Sequence, residues 1–431
     1  MIKNDKDIVV IGAGYVGLEL AISLSKKYNV ICYDINKLRI IRLKKGTDQN
    51  LQYDKSKILN KNLLFTSNDK LIFHKLTYIV TVPTPITRTR KPDLSMLKSA
   101  SKLVGKCIKK KSTIIFESTT FPGCTEEICI PIIEKNSKLK FSIDFDVGYS
   151  PERVNPGDKV NKLETITKIV SSNNKKTLIK ISNIYKKICK SIYPIANIKI
   201  AECAKVIENV QRDLNIAFIN ELSILFNKLN IPTNEVLKAA STKWNFHYYK
   251  PGLVGGHCIS VDPYYLAYKA KKINYLPKIL LSGRKLNESM GRYVAKQTIK
   301  LINKNNLNLK LLRIAILGFS FKDNIPDIRN TKVIQIINEF KNYKIKTDII
   351  DPIVCPKQAK SEYNINIRSF NFFKKHKYDV IILAVSHQIF LKKINFYLKY
   401  YKNINKKIFV DIKNNYSNEE LKKNNFIYFQ L

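Results

Sequence analysis

Short apolar runs alternate with helical patterns through the first half of the chain. The runs are rich in Ile and Val, as buried parallel strands are, and helical segments separate them. Such a βαβ series predicts an α/β fold with a doubly wound sheet. The predicted strands are residues 8–11, 30–33, 78–82, 113–116, 146–149 and 167–170.

The pattern changes near residue 198. Apolar residues recur at spacings of three and four from Ile200 to Leu229, which predicts a long amphipathic helix that ends before Pro232. A second helical stretch is predicted over about residues 281–303, and the Gly-rich segment 251–263 between the two is too irregular for a helix or a strand.

A second βα series begins at Arg313, with predicted strands at 314–317, 347–350, 380–384 and 408–411. The chain is therefore expected to hold two Rossmann-like doubly wound domains, residues 1–197 and 307–431. A central helical domain, residues 198–306, would join them.

The charge of the chain limits the kinds of molecule that it is expected to bind. The 431 residues carry a formal charge of +42. A basic chain can bind nucleic acid, but here the lysines are scattered and no arginine-rich or aromatic-interleaved cluster stands apart, so compositional drift is the preferred explanation. We predict no nucleic-acid partner, although the electrostatic field of so positively charged a protein favours anionic substrates.

The cysteines and the first apolar stretch bear on location. The eight cysteines show neither disulfide-framework spacing nor a CxxC pair, which is typical of a reduced cytosol, and we predict no metal site. Residues 8–24 are too short and too interrupted to span a bilayer. We expect a cytoplasmic protein without a membrane partner.

The first predicted strand runs directly into a GxGxxG motif and then a helix. Gly12 permits the tight turn, Gly14 lets the backbone approach a pyrophosphate, and Gly17 lets helix and strand pack closely. Asp34 follows Gly14 by 34 − 14 = 20 residues, where a carboxylate accepts from ribose hydroxyls and repels a 2′-phosphate. NAD is therefore favoured over NADP, a preference that the nearby Arg39 weakens only slightly. The alternative is a purely structural glycine turn.

Three more strands end in polar residues, in segments 82–85, 117–119 and 150–153. Each is an ordinary turn when taken alone, but the carboxyl edge of such a sheet is where ligands bind. Lys205 and Asn209 lie i, i+4 on the long helix, with Arg212 further along. By themselves these residues indicate only a solvated polar face.

The central Gly-rich segment holds a candidate nucleophile. Gly255 and Gly256 precede Cys258, and Asp262 follows four residues later. Paired glycines let a substrate approach closely, but a cysteine attacks only as thiolate and needs cationic or dipolar help. The alternative is a buried structural cysteine. We give His257 no catalytic role.

These motifs together resemble the UDP-glucose/GDP-mannose dehydrogenase family. In chain order they are GAGYVG, Asp34, VPTP, ESTTFPG, SPERVNPG, AECAKVIEN, GGHCISVDP and GFSFKDNIPDIRNT, which span nearly the full length. The resemblance implies that the first domain binds NAD, that the last binds UDP, and that the helical middle forms a homodimer. It also implies that C6 of a sugar nucleotide is oxidised in two steps with two NAD⁺.

The resemblance assigns catalytic roles. Cys258 would add to the aldehyde as a thiolate, and the thiohemiacetal would be oxidised to a thioester that water hydrolyses. Lys205 and Asn209 would stabilise the oxyanions, or Lys205 would shuttle the proton. Asp262, with Thr119 and Glu152, would position and activate water.

Binding residues follow in the same way. The cofactor would contact Gly12, Gly14, Tyr15, Val16, Gly17, Asp34, Arg39, Thr84, Thr119 and Arg329. The UDP-sugar would contact Glu152, Arg153, Val154, Lys205, Asn209, Arg212, His247, Gly255 and Lys322.

Departures from the family pattern bear on the sugar. Members acting on UDP-glucose usually have Pro-Lys-Asp where this chain has 260–262, Ser-Val-Asp, and a second Glu where it has Pro156. The forms SPERVNPG, TKWNF and GLVGGHC resemble the branch acting on UDP-N-acetylhexosamines. We expect UDP-N-acetylglucosamine or UDP-N-acetylgalactosamine as substrate, with the uronic acid used in capsule or O-antigen. The alternatives are UDP-N-acetylmannosamine, UDP-glucose, or an inactive sugar-nucleotide-binding protein.

Overall fold

The computed structural model describes residues 7–48, 53–87, 89–153 and 160–431. Within them the chain forms two compact units. The first comprises the residues up to Glu208 together with Tyr264–Leu276, and the second comprises Asn209–Pro263 and Pro277–Leu431.

The first unit contains a sheet of eight strands, which lie in the order β3-β2-β1-β4-β5-β6-β7-β8 when numbered along the chain. All six predicted strands are present, and β3 and β8 had not been predicted. The strands are β1 Asp7–Ile11, β2 Asn29–Tyr33, β3 Leu63–Thr66, β4 Thr77–Val80, β5 Ser112–Phe116, β6 Phe145–Tyr149, β7 Thr167–Ser172 and β8 Ser191–Ile195.

One strand reverses direction within this sheet. β7 pairs antiparallel with β6, with Gly148 opposite Ser172 and Tyr149 opposite Ser171, while the other pairs are parallel. The apolar pattern of β7 reports its burial but not its direction, so the sequence did not predict the reversal. As a result β7 begins at the edge where β5 and β6 end. The side chains at its start therefore lie near the loops that follow those two strands.

The second unit contains a six-stranded sheet in which all neighbouring strands are parallel, in the order β11-β10-β9-β12-β13-β14. Its four predicted strands are confirmed, and β11 and β14 are added at the two edges. The strands are β9 Arg313–Leu317, β10 Lys346–Ile350, β11 Ile367–Arg368, β12 Val380–Leu383, β13 Ile408–Asp411 and β14 Ile427–Gln430.

Helices connect the strands and bury their apolar faces in the cores of the two units. The helices are α1 Tyr15–Ser25, α2 Lys37–Lys44, α3 Lys55–Ile58, α4 Ser95–Cys107, α5 Ile130–Ser137, α6 Lys175–Tyr185, α7 Ile198–Lys228, α8 Thr233–Ala240, α9 Asp262–Lys272, α10 Lys278–Lys304, α11 Val333–Asn342, α12 Pro356–Tyr363, α13 Phe370–Lys374 and α14 Asn418–Lys423. Short helical turns cover Asp69–Ile72, Thr125–Cys129 and Ile394–Tyr400.

The long central helix is confirmed, because α7 runs from Ile198 to Lys228 and ends before Pro232, as the apolar spacing predicted. The second predicted helical stretch corresponds to α10. Both sheets and the long helix agree with the predicted fold class of two Rossmann-like domains joined by a helix. Across the described ranges, no helix is long and apolar enough to cross a membrane.

Candidate active site

The turn after β1 has the geometry of a dinucleotide-binding loop. Gly12 adopts φ +103°, in the region that favours glycine, and Thr81 donates its hydroxyl to the Gly12 carbonyl at 3.0 Å. A Cβ on Gly17 would overlap that carbonyl, so helix α1 packs against the turn only because residue 17 is glycine. Gly14 is exposed, and a Cβ placed there would meet no described atom within 4 Å. The turn thus leaves open backbone at a helix N-terminus, which fits a pyrophosphate.

Asp34 lies beside this turn, where the sequence predicted a ribose-binding carboxylate. Its Oδ2 accepts from the backbone amide of Ala13 at 2.7 Å and its Oδ1 from the backbone amide of Asn36 at 2.8 Å. Arg39 is buried, donates from Nε to the Ala13 carbonyl at 3.1 Å, and forms an ion pair with Asp48 at 2.7 Å. Arg39 therefore supports the glycine turn. Tyr15 and Val16, at the start of α1, are partly exposed.

The ends of β4 and β5 are tied together at the same edge of the sheet. Thr84 donates to the Thr119 carbonyl at 2.7 Å, and Ser118 donates to the Val82 carbonyl at 2.7 Å. Tyr265 donates to the Thr84 carbonyl at 2.6 Å. The two polar segments that the sequence singled out are therefore joined into one surface.

Helix α7 holds two of the loops at this edge through two glutamates that the sequence did not single out. The fully buried Glu202 accepts from the amides of Gly123, at 2.5 Å, and Thr125, at 2.9 Å, in the loop after Thr119. Glu208 forms an ion pair with Arg153 at 2.8 Å.

Lys205 lies midway between these two anchors and is buried. The next turn of α7 carries Asn209, which is buried as well, whereas Arg212 is exposed. The polar face that spacing alone indicated to be solvated is therefore buried at Lys205 and Asn209. Helical periodicity reports which residues share a face but not what covers that face.

The loop after β6 rests on a buried charge cluster. The ammonium of Lys168 lies 2.8 Å from Oε2 of Glu117, 3.2 Å from the Pro151 carbonyl and 3.7 Å from Oε2 of Glu152. Tyr185 donates its hydroxyl to Glu117. Burial opposes the charge of Lys168, but Glu117 and Glu152 outweigh it and raise the pKa of Lys168 to about 12.

The pKa values of two glutamates in this region are raised by their surroundings. Burial raises the pKa of Glu117 above its usual range, against the attraction of Lys168. Burial, followed by the neighbouring charges of Glu152 and Glu164, raises the pKa of Glu19 to about 7. The carboxylates of Glu117 and Glu152 thus both lie close to the Lys168 ammonium.

In the second unit, Asp262 and Asn209 are buried together. The Asn209 amide donates to Oδ2 of Asp262 at 2.5 Å, and the backbone amide of Asp262 donates to the Cys258 carbonyl at 2.8 Å. The Cys258 thiol is partly exposed. Nδ1 of His257 lies 3.0 Å from its Sγ, a contact that we had not anticipated from the sequence. A thiol beside an imidazole has a partner that can stabilise the thiolate.

The glycine pair before Cys258 is packed against Asn330 in the second unit. Gly256 adopts φ +87°, and its carbonyl accepts from the side chain of Asn330 at 3.0 Å, so this unit holds the glycine pair before Cys258 in place. A Cβ on Gly255 would lie 2.8 Å from the Asn330 carbonyl.

Lys322 and Arg329 lie in the loop region after β9. The Lys322 carbonyl accepts from the Ser320 hydroxyl at 2.8 Å, and Arg329 forms an ion pair with Asp327. His247 is exposed. Val154 lies outside the described residues.

The fold and the glycine turn with its spaced aspartate define a dinucleotide-binding protein of the Rossmann class. Three domain models of one family match successive parts of the chain. The NAD binding domain of the UDP-glucose/GDP-mannose dehydrogenase family matches residues 6–189, its central domain 199–289 and its UDP binding domain 315–418. The chain belongs to the UDP-glucose/GDP-mannose dehydrogenase family.

Individual relatives are similar over most of their length. The chain is 48% identical to the UDP-N-acetyl-D-glucosamine 6-dehydrogenase of Salmonella typhi, over 90% of this chain and 91% of that one. It is 47% identical to the Pseudomonas aeruginosa enzyme of the same name, over 90% and 92%. Among solved structures, the UDP-D-ManNAc dehydrogenase of Pyrococcus horikoshii superimposes with a TM-score of 0.88 at 27% identity, covering 98% of each chain.

The predicted family and the predicted cofactor are thereby confirmed. The chain is an oxidoreductase, an NAD-dependent nucleotide-sugar dehydrogenase, and its last domain is the UDP binding domain of this family. The open glycine turn beside Asp34 fits NAD. The roles of the individual site residues stay predictions.

Proposed function

We propose that this protein oxidises C6 of UDP-N-acetylglucosamine to a carboxylate, in two NAD-dependent steps through a covalent intermediate on Cys258. The identity to two UDP-N-acetyl-D-glucosamine 6-dehydrogenases, 48% and 47%, is higher than the identity to two UDP-N-acetyl-D-mannosamine dehydrogenases, 31% and 30%, which supports this sugar. The product would serve as a precursor of surface polysaccharide, made in the cytoplasm.

The observation that carries the chemistry is the arrangement around Cys258. Cys258 is partly exposed and has an imidazole 3.0 Å from its Sγ, and its carbonyl accepts from the backbone amide of Asp262, whose side chain is paired with Asn209. Bound NAD would supply the acceptor for the hydride in each oxidation. The thiolate adds to the aldehyde carbon, because an aldehyde must gain a fourth substituent before a second hydride can leave.

The buried amide and ammonium groups of α7 have the chemistry to support these steps. Asn209 can donate to an oxyanion while Asp262 orients its amide, and Lys205 can stabilise an alkoxide or take up its proton. Thr119 and Glu152 are proposed to position the water that hydrolyses the thioester. Arg153, held by Glu208 in the described structure, and Lys322 are proposed to contact the nucleotide.

A homodimer is proposed on the strength of an exposed apolar stripe. Ile200, Ile207, Phe218 and Leu225 follow one side of α7 at spacings of seven, eleven and seven, and each is at least 47% exposed. Such a stripe along a long helix is suited to packing against a second copy. Sedimentation of the wild-type protein and of a Phe218→Glu, Leu225→Glu variant would test it, since the variant should be monomeric.

The test of the proposed function is a panel of UDP-sugars assayed for NADH. UDP-N-acetylglucosamine should give two NADH per sugar oxidised, with UDP-N-acetylgalactosamine, UDP-N-acetylmannosamine and UDP-glucose clearly poorer. Preference for another sugar would correct the substrate, and binding without any NADH would indicate an inactive sugar-nucleotide-binding protein.

Two variants test the covalent step. Cys258→Ser should stall with an accumulated ester on the serine, which mass spectrometry detects, while Cys355→Ser, at an exposed cysteine of the same unit, should retain full turnover. A Cys258→Ala variant that keeps complete two-step turnover would disprove the mechanism.

A further inference from the structure

Lys168 is a fully buried lysine with no role in the chemistry described so far. An ammonium removed from water is strongly destabilising unless charges and hydrogen bonds replace its hydration. Lys168 finds these partners at the start of β7, and the reversed direction of that strand is what brings it to the carboxyl edge of the sheet. A parallel β7 would have placed the same residue at the opposite edge.

The partners of Lys168 exceed what its charge requires. Glu117, fully buried at 2.8 Å, already neutralises the ammonium, and the Tyr185 ring covers it at 5.2 Å. The further contacts, to the Pro151 carbonyl at 3.2 Å and to Glu152 at 3.7 Å, both lead into the loop that follows β6. Lys168 therefore connects strand β7 to that loop.

Stability alone explains this arrangement poorly. A buried ion pair contributes little compared with apolar residues of similar volume, because the desolvation of both charges offsets their attraction. What the pair does provide is a fixed point charge beneath a carboxylate that is only partly buried. Glu117 and Glu152 are the two carboxylates that lie within 4 Å of the Lys168 ammonium among the described ion pairs.

We propose that Lys168 is the positioning residue for Glu152, fixing its carboxylate for hydrolysis of the Cys258 thioester. The inference rests on the proposed function. In that step the oxygen of water bonds to the thioester carbon, the C–S bond breaks, and sulfur leaves as thiolate. One proton of the water goes to Glu152, and the product is the C6 carboxylic acid. Lys168 touches no reacting atom and acts only through Glu152 and Pro151.

The test separates hydrolysis from the oxidations that precede it. In Lys168→Met, both oxidations should proceed and hydrolysis should slow by about tenfold or more, as expected for a misplaced catalytic group. Rapid mixing should therefore show a burst approaching two NADH per active site and a slow steady state. Acid-quenched protein should carry the acyl group on Cys258 by mass spectrometry. Lys168→Arg, which keeps the charge, should recover part of the steady-state rate.

The controls make each outcome decisive. Lys180→Met removes a lysine that donates to Thr113, near the start of β5, and should behave as wild type. If Lys168→Met folds poorly, Glu117→Gln combined with Lys168→Met removes both charges and should show the same burst. Loss of all steps in equal proportion, or unchanged turnover, would overturn the inference. A wild-type protein that forms no NADH with any UDP-sugar would instead refute the proposed function.

Discussion

The two sheets of this protein place an aspartate at equivalent points and use it differently. In the first unit, Asp34 follows β2 and accepts from the Ala13 amide in the turn after β1, at 2.7 Å. In the second, Asp351 follows β10 and accepts from the Phe319 amide in the turn after β9, also at 2.7 Å. Both turns begin with a glycine at positive φ, Gly12 at +103° and Gly318 at +94°.

The difference lies in what surrounds each carboxylate. Asp34 is partly exposed beside the open backbone of Gly14, so ribose hydroxyls can reach it. Asp351 is buried and also accepts from the amides of Ser320 and Val354, at 3.2 and 3.1 Å. A shared topology thus provides a cofactor site in one sheet and a closed structural anchor in the other.

His387 completes the closure of the second site. The backbone amide of Asn324 donates to Nδ1 of His387 at 2.8 Å, so the proton of the neutral ring is on Nε2, which lies 3.0 Å from Asp351. The buried His387 side chain therefore covers the Asp351 carboxylate. The same contacts hold the segment that carries Lys322, the predicted nucleotide contact.

The largest expected effect is that of Asp351→Ala. Removing this carboxylate leaves buried amides and His387 without their acceptor, and we expect a loss of about 3–5 kcal/mol in the free energy of unfolding. Urea denaturation measures it. NAD affinity, determined by titration of folded protein, should be unchanged, and a strong loss of NAD binding would contradict the assignment of the second sheet as a structural anchor.

Asp34→Asn should have the opposite effects, with little change in stability and a clear loss of NAD affinity. The carboxylate is partly exposed, so stability should change by less than about 1 kcal/mol, while NAD should bind about 10- to 100-fold more weakly because a charged hydrogen-bond acceptor is lost. Calorimetric titration with NAD and NADP measures both cofactors. The preference for NAD over NADP should shrink, and an unaltered preference would show that Asp34 does not select the cofactor.

Low pH should lower the stability of the second unit because Asp351 becomes protonated. Burial by itself would raise the pKa of Asp351, but the hydrogen bonds from His387 and the backbone outweigh it and hold the pKa below its usual range. A depressed pKa gives stability that is present above the unfolded value of about 3.9 and is lost as pH falls through the folded value. The melting temperature, measured at pH values from 6 downward, should therefore decrease less steeply with falling pH for Asp351→Asn than for the wild-type protein.

The smallest effect on stability is expected at Gly14. Its φ of −76° suits other residues and a Cβ there meets no described neighbour, so Gly14→Ala should leave stability unchanged or raise it by about 0.5 kcal/mol. NAD should nevertheless bind more weakly, because the added methyl group occupies the approach of the pyrophosphate. Unchanged NAD affinity in a folded Gly14→Ala protein would contradict the placement of the cofactor.

Most of the fold and the cofactor turn followed from the sequence, since they depend on local signals. Apolar runs and their spacing predicted ten strands and the helix Ile198–Lys228, and a strand, three glycines and a spaced aspartate predicted the dinucleotide loop. The ordered motifs also predicted the family. These signals can be recognised in the sequence because they depend only on residues that are close together along the chain. A tight turn needs a glycine at one position, and an amphipathic helix needs apolar residues at spacings of three and four.

What only the tertiary structure decided was the pairing of distant residues. Lys168 meets Glu117 across 51 positions, and His387 meets Asp351 across 36. The reversal of β7, the anchoring of two loops by Glu202 and Glu208, and the closed state of the second aspartate belong to the same group. Periodicity tells which face of an element is buried, but the identity of the group that covers it depends on the path of the whole chain. For that reason the same glycine–aspartate geometry is open in one sheet and sealed in the other.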